Sequence, residues 1–304
     1  MKVKILIFIS LMVISMATSH ADNIALLIGI GDYNTSATGW SVIHGNNDVV
    51  LLEKKLKEKS FVVSKIIDNN ATKQRIMEEL SNLIMQTKSG DVVYLHFSGH
   101  GQLIPDLNND EKGRSVKFDQ SFVCYDACIS TNFIVEGTRY KGQNHLIDDE
   151  LFPFLNILKK KAGQNGEVIV VFDSCFSGGA DRGRTTKSNF NKIEVVVDTI
   201  VRGTNDVFRL DNNARQYIEQ NIIKPDEYSP VGNITVISAC EWNQINYECK
   251  DMRSGRNYGS LSYCISKLLE DNISFSEWRF IFENRTYIKY NIFSDAQHPT
   301  IEVY

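Results

Sequence analysis

A histidine and a cysteine follow two apolar segments of this chain. His100 comes just after the apolar run 91–97, and Cys175 comes just after the run 167–173. A thiolate is an effective nucleophile near neutral pH, and a nearby imidazole can accept its proton and later protonate a leaving group. Glycines flank the histidine on both sides, where they let the chain turn sharply and leave backbone N–H groups unobstructed for a developing oxyanion. The pattern indicates nucleophilic thiol chemistry, provided that the two apolar segments are neighbours.

Alternating strand and helix patterns provide the elements that position these two residues. Runs that are apolar on both faces predict strands at 24–30, 61–67, 91–97, 167–173 and 233–239. Helical periodicity predicts helices at 49–59, 72–87, 149–161, 259–269 and 278–289. We therefore predict an α/β fold, a three-layer α/β/α sandwich with a mostly parallel sheet. The carboxyl ends of its strands meet at one edge, where ligands bind in such sheets.

Two polar segments interrupt this alternation. Residues 102–147 are turn-rich, and residues 178–230 show little long periodicity. Loops of that length in a compact domain are usually functional or flexible. We therefore predict both segments as long loops.

The composition narrows the classes of function. The chain has 304 residues, 42% hydrophobic and 23% charged, as in soluble globular proteins. Its formal charge of −4 argues against an electrostatic nucleic-acid binder, which needs a basic stripe. The six cysteines are too few for a disulfide scaffold. Cys124 and Cys128 could pair, whereas Cys240 and Cys264 fall at expected core positions.

The first 21 residues have the features of an export signal. Lys2 and Lys4 precede an apolar run over 5–16, and small residues close the segment. The run is too short to span a bilayer with margin. We expect a signal peptide over 1–21, a mature domain over 22–304 without a membrane span, and an exported protein, periplasmic or secreted.

Two motifs give this chain a resemblance to a known family. Residues 94–101 read YLHFSGHG and residues 171–179 read VFDSCFSGG. Together they resemble the catalytic motifs of the caspase-fold cysteine peptidases (peptidase C14), and most closely the metacaspase and bacterial caspase-like branch. The resemblance covers almost the whole mature chain and implies a caspase-like sheet. It implies that Cys175 is the nucleophile, that His100 is the general acid and base, and that the N–H groups of Gly101 and Cys175 form the oxyanion hole.

The same resemblance implies a substrate. Metacaspases cleave after Arg or Lys, and their acidic pocket matches Asp48 and Asp173, with Ser98 beside them. A guanidinium that leaves water needs carboxylate partners, so these residue types suit the role. The residues alone also allow Asp48 to be a helix-start residue and Asp173 a strand-end turn residue. The expected partner is a peptide or protein with a basic residue before the cleaved bond.

The resemblance also implies a calcium site. Its ligands match Asp126, Asp148 and Asp149, and acidic oxygen clusters suit this hard cation. The alternative is a set of capping and solvated acids at a helix start.

Basic residues follow the nucleophile in a polar segment that contains glycine. They are Arg182, Arg184 and Lys187. An enzyme that prefers basic residues could cut itself there and so mature. We therefore name these three as candidate self-cleavage positions.

Three rival interpretations stay open from the sequence. A clostripain-type peptidase shares the fold and the preference for basic residues. A catalytically silent caspase-like domain would serve binding or regulation, although such a domain should have lost His100 or Cys175. A small-molecule thiol hydrolase would leave the match of Asp48 and Asp173 unexplained.

Overall fold

The computed structural model describes residues 22–107, 118–176, 195–204, 206–221, 234–241 and 243–304. The expected signal peptide and the candidate self-cleavage residues Arg182, Arg184 and Lys187 lie outside these ranges. The described strands are β1 (Asn23–Gly29), β2 (Phe61–Ile67), β3 (Val92–Ser98), β4 (Gly101–Pro105), β5 (Phe118–Val123), β6 (Ile134–Val135), β7 (Thr138–Arg139), β8 (His145–Ile147), β9 (Glu167–Asp173), β10 (Val195–Val201), β11 (Ile234–Ser238), β12 (Tyr247–Asp251), β13 (Asn257–Gly259) and β14 (Thr300–Val303). The described helices are α1 (Thr35–Thr38), α2 (Gly45–Glu58), α3 (Lys73–Gln86), α4 (Asp148–Ala162), α5 (Asn212–Asn221), α6 (Ser260–Glu270) and α7 (Phe275–Glu283).

Six strands form a central sheet in the order β14-β11-β9-β3-β1-β2. Neighbours in this sheet are parallel, except that β14 runs antiparallel to β11. The strands before the histidine and the cysteine, β3 and β9, lie side by side. Their register pairs Ser98 with Asp173 at the last position of each strand. The loops that carry His100 and Cys175 therefore begin at the same edge of the sheet.

Helices cover both faces of this sheet. In β1, Leu26 and Ile28 point into the core beneath α3 and α4. Ala25 and Leu27 point into the other core, beneath α2, α6 and α7, because successive side chains of a strand face opposite sides. Each buried leucine of this kind stabilises the fold by roughly 1.5–3 kcal/mol relative to an exposed one. The predicted three-layer α/β/α sandwich with a mostly parallel sheet is confirmed.

The prediction of two long loops is wrong in part. Within 102–147, β4, β5 and β8 form a three-stranded antiparallel sheet, and β6 pairs with β7. Within 178–230, the described residues include β10 and α5. Buried polar residues such as Gln102 and Ser121 explain the error for β4 and β5. Strands that bury polar groups lack the apolar alternation that reveals a strand in sequence.

The last predicted helix, 278–289, has the wrong bounds. The helix α7 begins after Ser274, which shares a capping box with Glu277. It ends at Glu283, and Arg285 then adopts a left-handed φ of 53°. That conformation stops a right-handed helix. A separate 3₁₀ turn follows over Thr286–Tyr290.

All six cysteines lie in the described ranges, and each is a buried thiol that forms no disulfide bond. Cys124 and Cys128 are therefore not bonded to each other. In the ranges that the structure describes, none of the helices has the length and apolar content that a membrane crossing requires.

Candidate active site

The loop after β3 places His100 in the interior. Its Nε2 lies 2.9 Å from the Ser41 carbonyl oxygen, which can only accept, so the neutral ring carries its hydrogen on Nε2. Its Nδ1 has no hydrogen-bond partner among the described residues. Burial lowers the pKa of His100 to about 4. The imidazole is therefore neutral, oriented by Ser41 and stacked on Trp40 with ring centroids 4.9 Å apart, and Nδ1 is available to accept a proton.

The loop after β9 places Cys175 next to a pair of converging amides. The Cys175 N–H donates to the Arg202 carbonyl oxygen at 3.0 Å, and the Gly101 N–H donates to the same oxygen at 3.2 Å. Two fixed amides on one carbonyl oxygen are the arrangement that stabilises an oxyanion. The Cys175 thiol donates to the Gln244 carbonyl at 3.1 Å. The structure thus brings both predicted oxyanion-hole donors onto a single carbonyl.

The side chain of the same arginine fills the predicted acidic pocket. The Nη2 atom of Arg202 lies 2.8 Å from Asp48 and 2.9 Å from Glu248. Its Nη1 lies 2.5 Å from the Ser98 hydroxyl and 3.7 Å from Asp173. All five side chains are buried. The structure therefore gathers Asp48, Ser98 and Asp173 around one guanidinium and adds Glu248 as a third carboxylate.

The electrostatics of this cluster depend on the guanidinium. Burial raises the pKa of Asp48 to about 7, although Arg202 acts to lower it. Burial also acts to raise the pKa of Glu248, but Arg202 and His44 hold it below its usual range. Burial alone would lower the pKa of Arg202, and the three carboxylates raise it instead. The pocket is therefore built to hold a cation, because carboxylates buried without one are strongly disfavoured.

Separate elements fix the pocket acids. Asp48 lies in the first turn of α2 and accepts from the Gly259 N–H at 2.9 Å. Asp173 accepts from the Ser262 N–H at 2.7 Å and from the Asn246 amide at 2.7 Å. These hydrogen bonds from backbone and side-chain amides hold each carboxylate in a fixed orientation.

Sequence reasoning missed Glu248, Arg202 and His44. Glu248 lies on β12, and Arg202 follows β10, so neither stands at an end of the central sheet. His44 precedes α2 and makes two contacts with Glu248. Its backbone N–H donates to one carboxylate oxygen at 2.8 Å, and its ring Nδ1 lies 2.5 Å from the other. A signal was present for one of the three, since the basic residue Arg202 precedes Gly203 in the segment between Cys175 and β11.

The acids of the expected calcium site have other contacts. Asp126 accepts from the Lys73 N–H at 3.0 Å, at the start of α3. Asp148 and Asp149 lie in the first turn of α4, where the Asp149 N–H donates to Asp148 at 3.2 Å. Within the described ranges, no group of three or more His, Cys, Asp or Glu side chains is placed to hold a metal ion. These three carboxylates do not make a metal site by themselves, and calcium binding stays a prediction.

A thiol and an imidazole at adjacent strand ends, with two amides directed at one carbonyl, define a site of the cysteine-peptidase class. The chain belongs to the peptidase C14 family, because the family model described as the caspase domain matches residues 22–289.

Curated relatives of this chain are metacaspases. Metacaspase-1B of Aspergillus fumigatus is 31% identical over 109 residues, which is 36% of this chain and 22% of that protein. Metacaspase-1 of Schizosaccharomyces pombe is 25% identical over 84% of this chain and 62% of its own length. Metacaspase-2 of Trypanosoma brucei brucei is 24% identical over 87% of this chain and 69% of its own length. The matches to the Aspergillus and Schizosaccharomyces proteins thus span less than two thirds of those relatives.

A solved structure shares the fold. A crystal structure of a Geobacter sulfurreducens protein aligns over 93% of each chain with a TM-score of 0.59 and 20% identity. This likeness concerns the fold alone.

Proposed function

We propose that the protein is a cysteine endopeptidase that cleaves after Arg or Lys. One observation carries the proposal: the Arg202 guanidinium lies among Asp48, Ser98, Asp173 and Glu248 while its carbonyl accepts from two amides at the nucleophile loop. The side chain of a basic residue therefore fits the acidic pocket while the carbonyl of the same residue accepts from the two amides.

The chemistry follows from the same geometry. Cys175 transfers its thiol proton to Nδ1 of His100 and attacks the substrate carbonyl carbon. The N–H groups of Gly101 and Cys175 stabilise the oxyanion, and the departing amine takes the proton back from His100. Water then hydrolyses the thioester, with His100 acting as base.

Calcium stimulation, self-processing and export belong to the same proposal. Calcium would bind the carboxylates of Asp126, Asp148 and Asp149, and the support for it is the motif resemblance. Self-processing at Arg182, Arg184 or Lys187 and export through residues 1–21 are supported by composition and position in the sequence.

A different feature separates this proposal from each of its rivals. A small-molecule thiol hydrolase has no need of three buried carboxylates around a cation. A silent binding domain has no need of an imidazole whose Nδ1 is left open beside the nucleophile loop. A clostripain-type peptidase would share the pocket, and the SGHG and DSCFSGG motifs favour the metacaspase side.

Fluorogenic peptides that end in Arg, Lys or Asp test the proposal. The purified chain is assayed with and without calcium, beside Cys175→Ala and beside Cys128→Ala, which removes a buried thiol elsewhere. We expect cleavage after Arg and Lys by the unmodified chain and by Cys128→Ala, and none by Cys175→Ala. No cleavage of any peptide, with Cys175 shown to be reduced, would overturn the peptidase assignment. Cleavage after Asp alone would overturn the basic pocket.

A further inference from the structure

The chain holds one of its own peptide bonds in the position of a substrate. The carbonyl of Arg202 accepts from Cys175 and Gly101, and the N–H of Arg202 donates to the Asn246 carbonyl at 3.1 Å. With its side chain in the acidic pocket and its carbonyl on the two amides, this residue occupies both places that the proposed function assigns to the residue before a cleaved bond. The bond that follows it joins Arg202 to Gly203.

Both sides of this bond are fixed. Upstream, β10 pairs antiparallel with β12, and Val201 lies opposite Tyr247. Downstream, Gly203 forms a parallel bridge with Gly101, and the Phe208 N–H donates to the Leu103 carbonyl at 2.9 Å. Phe208 is fully buried. A bond that is held from both sides next to the reacting groups is positioned as the bond of a bound substrate is.

Glycine is the residue that fits after the arginine. A Cβ on Gly203 would lie 2.1 Å from the Cys175 carbonyl oxygen and 3.1 Å from the Cys175 Cβ. The distance to the carbonyl oxygen is far shorter than a van der Waals contact, and the clash is with backbone, which cannot easily move away. The backbone after Arg202 therefore touches the nucleophile residue itself, and a larger residue would displace the bond.

We propose that the chain cleaves itself at the Arg202–Gly203 bond, within the same molecule, in addition to any cut at Arg182, Arg184 or Lys187, and that residues 200–203 keep other peptides out of the site until they are displaced. This inference rests on the proposed function. Cys175 attacks the Arg202 carbonyl carbon as its thiol proton passes to His100. The C–N bond to Gly203 then breaks, and the new amine takes that proton. Water hydrolyses the Arg202 thioester, which leaves a carboxylate on Arg202 and restores the thiol.

Mapping of the fragments tests the position and the intramolecular route. The full chain is incubated and its new termini are read by amino-terminal sequencing and mass spectrometry. We expect a new amino terminus at Gly203 and a rate constant that does not change on about tenfold dilution, because the bond is already in its own site. Cys175→Ala mixed with active chain should stay uncut at this bond, since its Arg202 remains in its own pocket.

Variants of the bond and one matched control test its chemistry. Arg202→Gln should be uncut here, while Arg202→Lys, which keeps the cation and guards against a folding defect, should still yield Gly203 as a terminus. Gly203→Ala should slow the cut about 100-fold, the cost of a misplaced reacting bond. Arg209→Gln removes an exposed arginine of the same segment and should be cut like the unmodified chain.

Peptide hydrolysis in the same samples separates the two proposals. If the Arg peptide is cleaved but the bond after Arg202 stays intact, this inference fails and the proposed endopeptidase activity stands. If neither peptide nor chain is cut, the proposed function fails. If residues 200–203 keep other peptides out of the site, cleavage of the Arg peptide by the unmodified chain should begin after a lag, and Arg202→Gln should show no lag. Equal initial rates of peptide cleavage by the unmodified chain and by Arg202→Gln would overturn this part of the proposal.

Discussion

At the scale of single residues, Glu248 completes the pocket as its third carboxylate. Its oxygen lies 2.9 Å from Nη2 of Arg202, and the side chain is fully buried. Hydrogen bonds to charged groups contribute about 1.5–3 kcal/mol each. Since each 1.36 kcal/mol is a factor of ten in rate, removing one such contact changes transition-state binding by roughly 10- to 100-fold.

We predict that Glu248→Gln lowers kcat/KM for a peptide ending in Arg by about 10- to 100-fold. The loss for a Lys peptide should be smaller, because an ammonium is a compact point charge without the forked donors of a guanidinium. Initial rates with both peptides measure this, with the exposed Glu58→Gln as control. Equal rates for the variant and the unmodified chain would show that Glu248 does not determine specificity.

The buried arginine also makes stability depend on pH. Burial raises the pKa of Asp48 to about 7, and Arg202 acts against that rise. For a carboxyl whose folded pKa is raised, the stability contribution is fully present below its unfolded pKa near 4 and is lost as pH rises through the folded value. Without Arg202 the pKa of Asp48 rises further, so the loss at high pH grows.

We therefore predict that Arg202→Gln, made in a Cys175→Ala background, costs more free energy of unfolding at pH 8 than at pH 5. At pH 5 the unpaired Asp48 is protonated, whereas at pH 8 its ionisation is opposed by burial. Urea unfolding at both pH values measures the difference, and the exposed Arg209→Gln in the same background should show no such trend. An equal cost at the two pH values would contradict the argument.

At the scale of elements, the start of α2 determines where Asp48 lies. A Cβ on Gly45 would lie 2.4 Å from the Ser98 carbonyl oxygen and 2.6 Å from the Ile30 carbonyl oxygen. The helix therefore approaches the end of β3 so closely that only glycine fits at position 45. This approach brings Asp48, one turn further along, within 2.6 Å of the Ser98 hydroxyl.

We predict that Gly45→Ala destabilises the fold by about 1–3 kcal/mol, the usual cost of overpacking. It should also lower cleavage of the Arg peptide, because the first turn of α2 moves away from β3 and takes Asp48 with it. Thermal unfolding and peptide kinetics measure both effects. Val50→Ala, an exposed change on the same helix, is the control. A variant that is as stable and active as the unmodified chain would refute this role for Gly45.

The elements also show what sequence can and cannot predict here. The inner strands β1, β3 and β9 were predictable because both faces of each are buried and largely apolar, and the motifs around His100 and Cys175 stand directly at the ends of β3 and β9. Glu248 and Arg202 were not, because they lie on or after short antiparallel strands without an apolar run. Their meeting with Asp48 depends on long-range pairing of β10 with β12, which local patterns do not encode.

At the scale of the whole molecule, the bond between Arg202 and Gly203 divides the chain through its central sheet. The strands β1, β2, β3 and β9 precede it, and β11 and β14 follow it. The parallel pairing of β9 with β11 joins the two parts, and α6 and α7 pack in the same core as α2. Each part also supplies pocket carboxylates, since Asp48 and Asp173 precede the bond and Glu248 follows it.

This division determines how a cut would be seen in the laboratory. Two fragments that share one sheet and one core should elute together in gel filtration and migrate together on a native gel. Because none of the six cysteines forms a disulfide bond, no covalent link would join the fragments once they unfold. A denaturing gel would therefore separate them even without a reducing agent, and the nicked molecule would look intact to every method that preserves its fold.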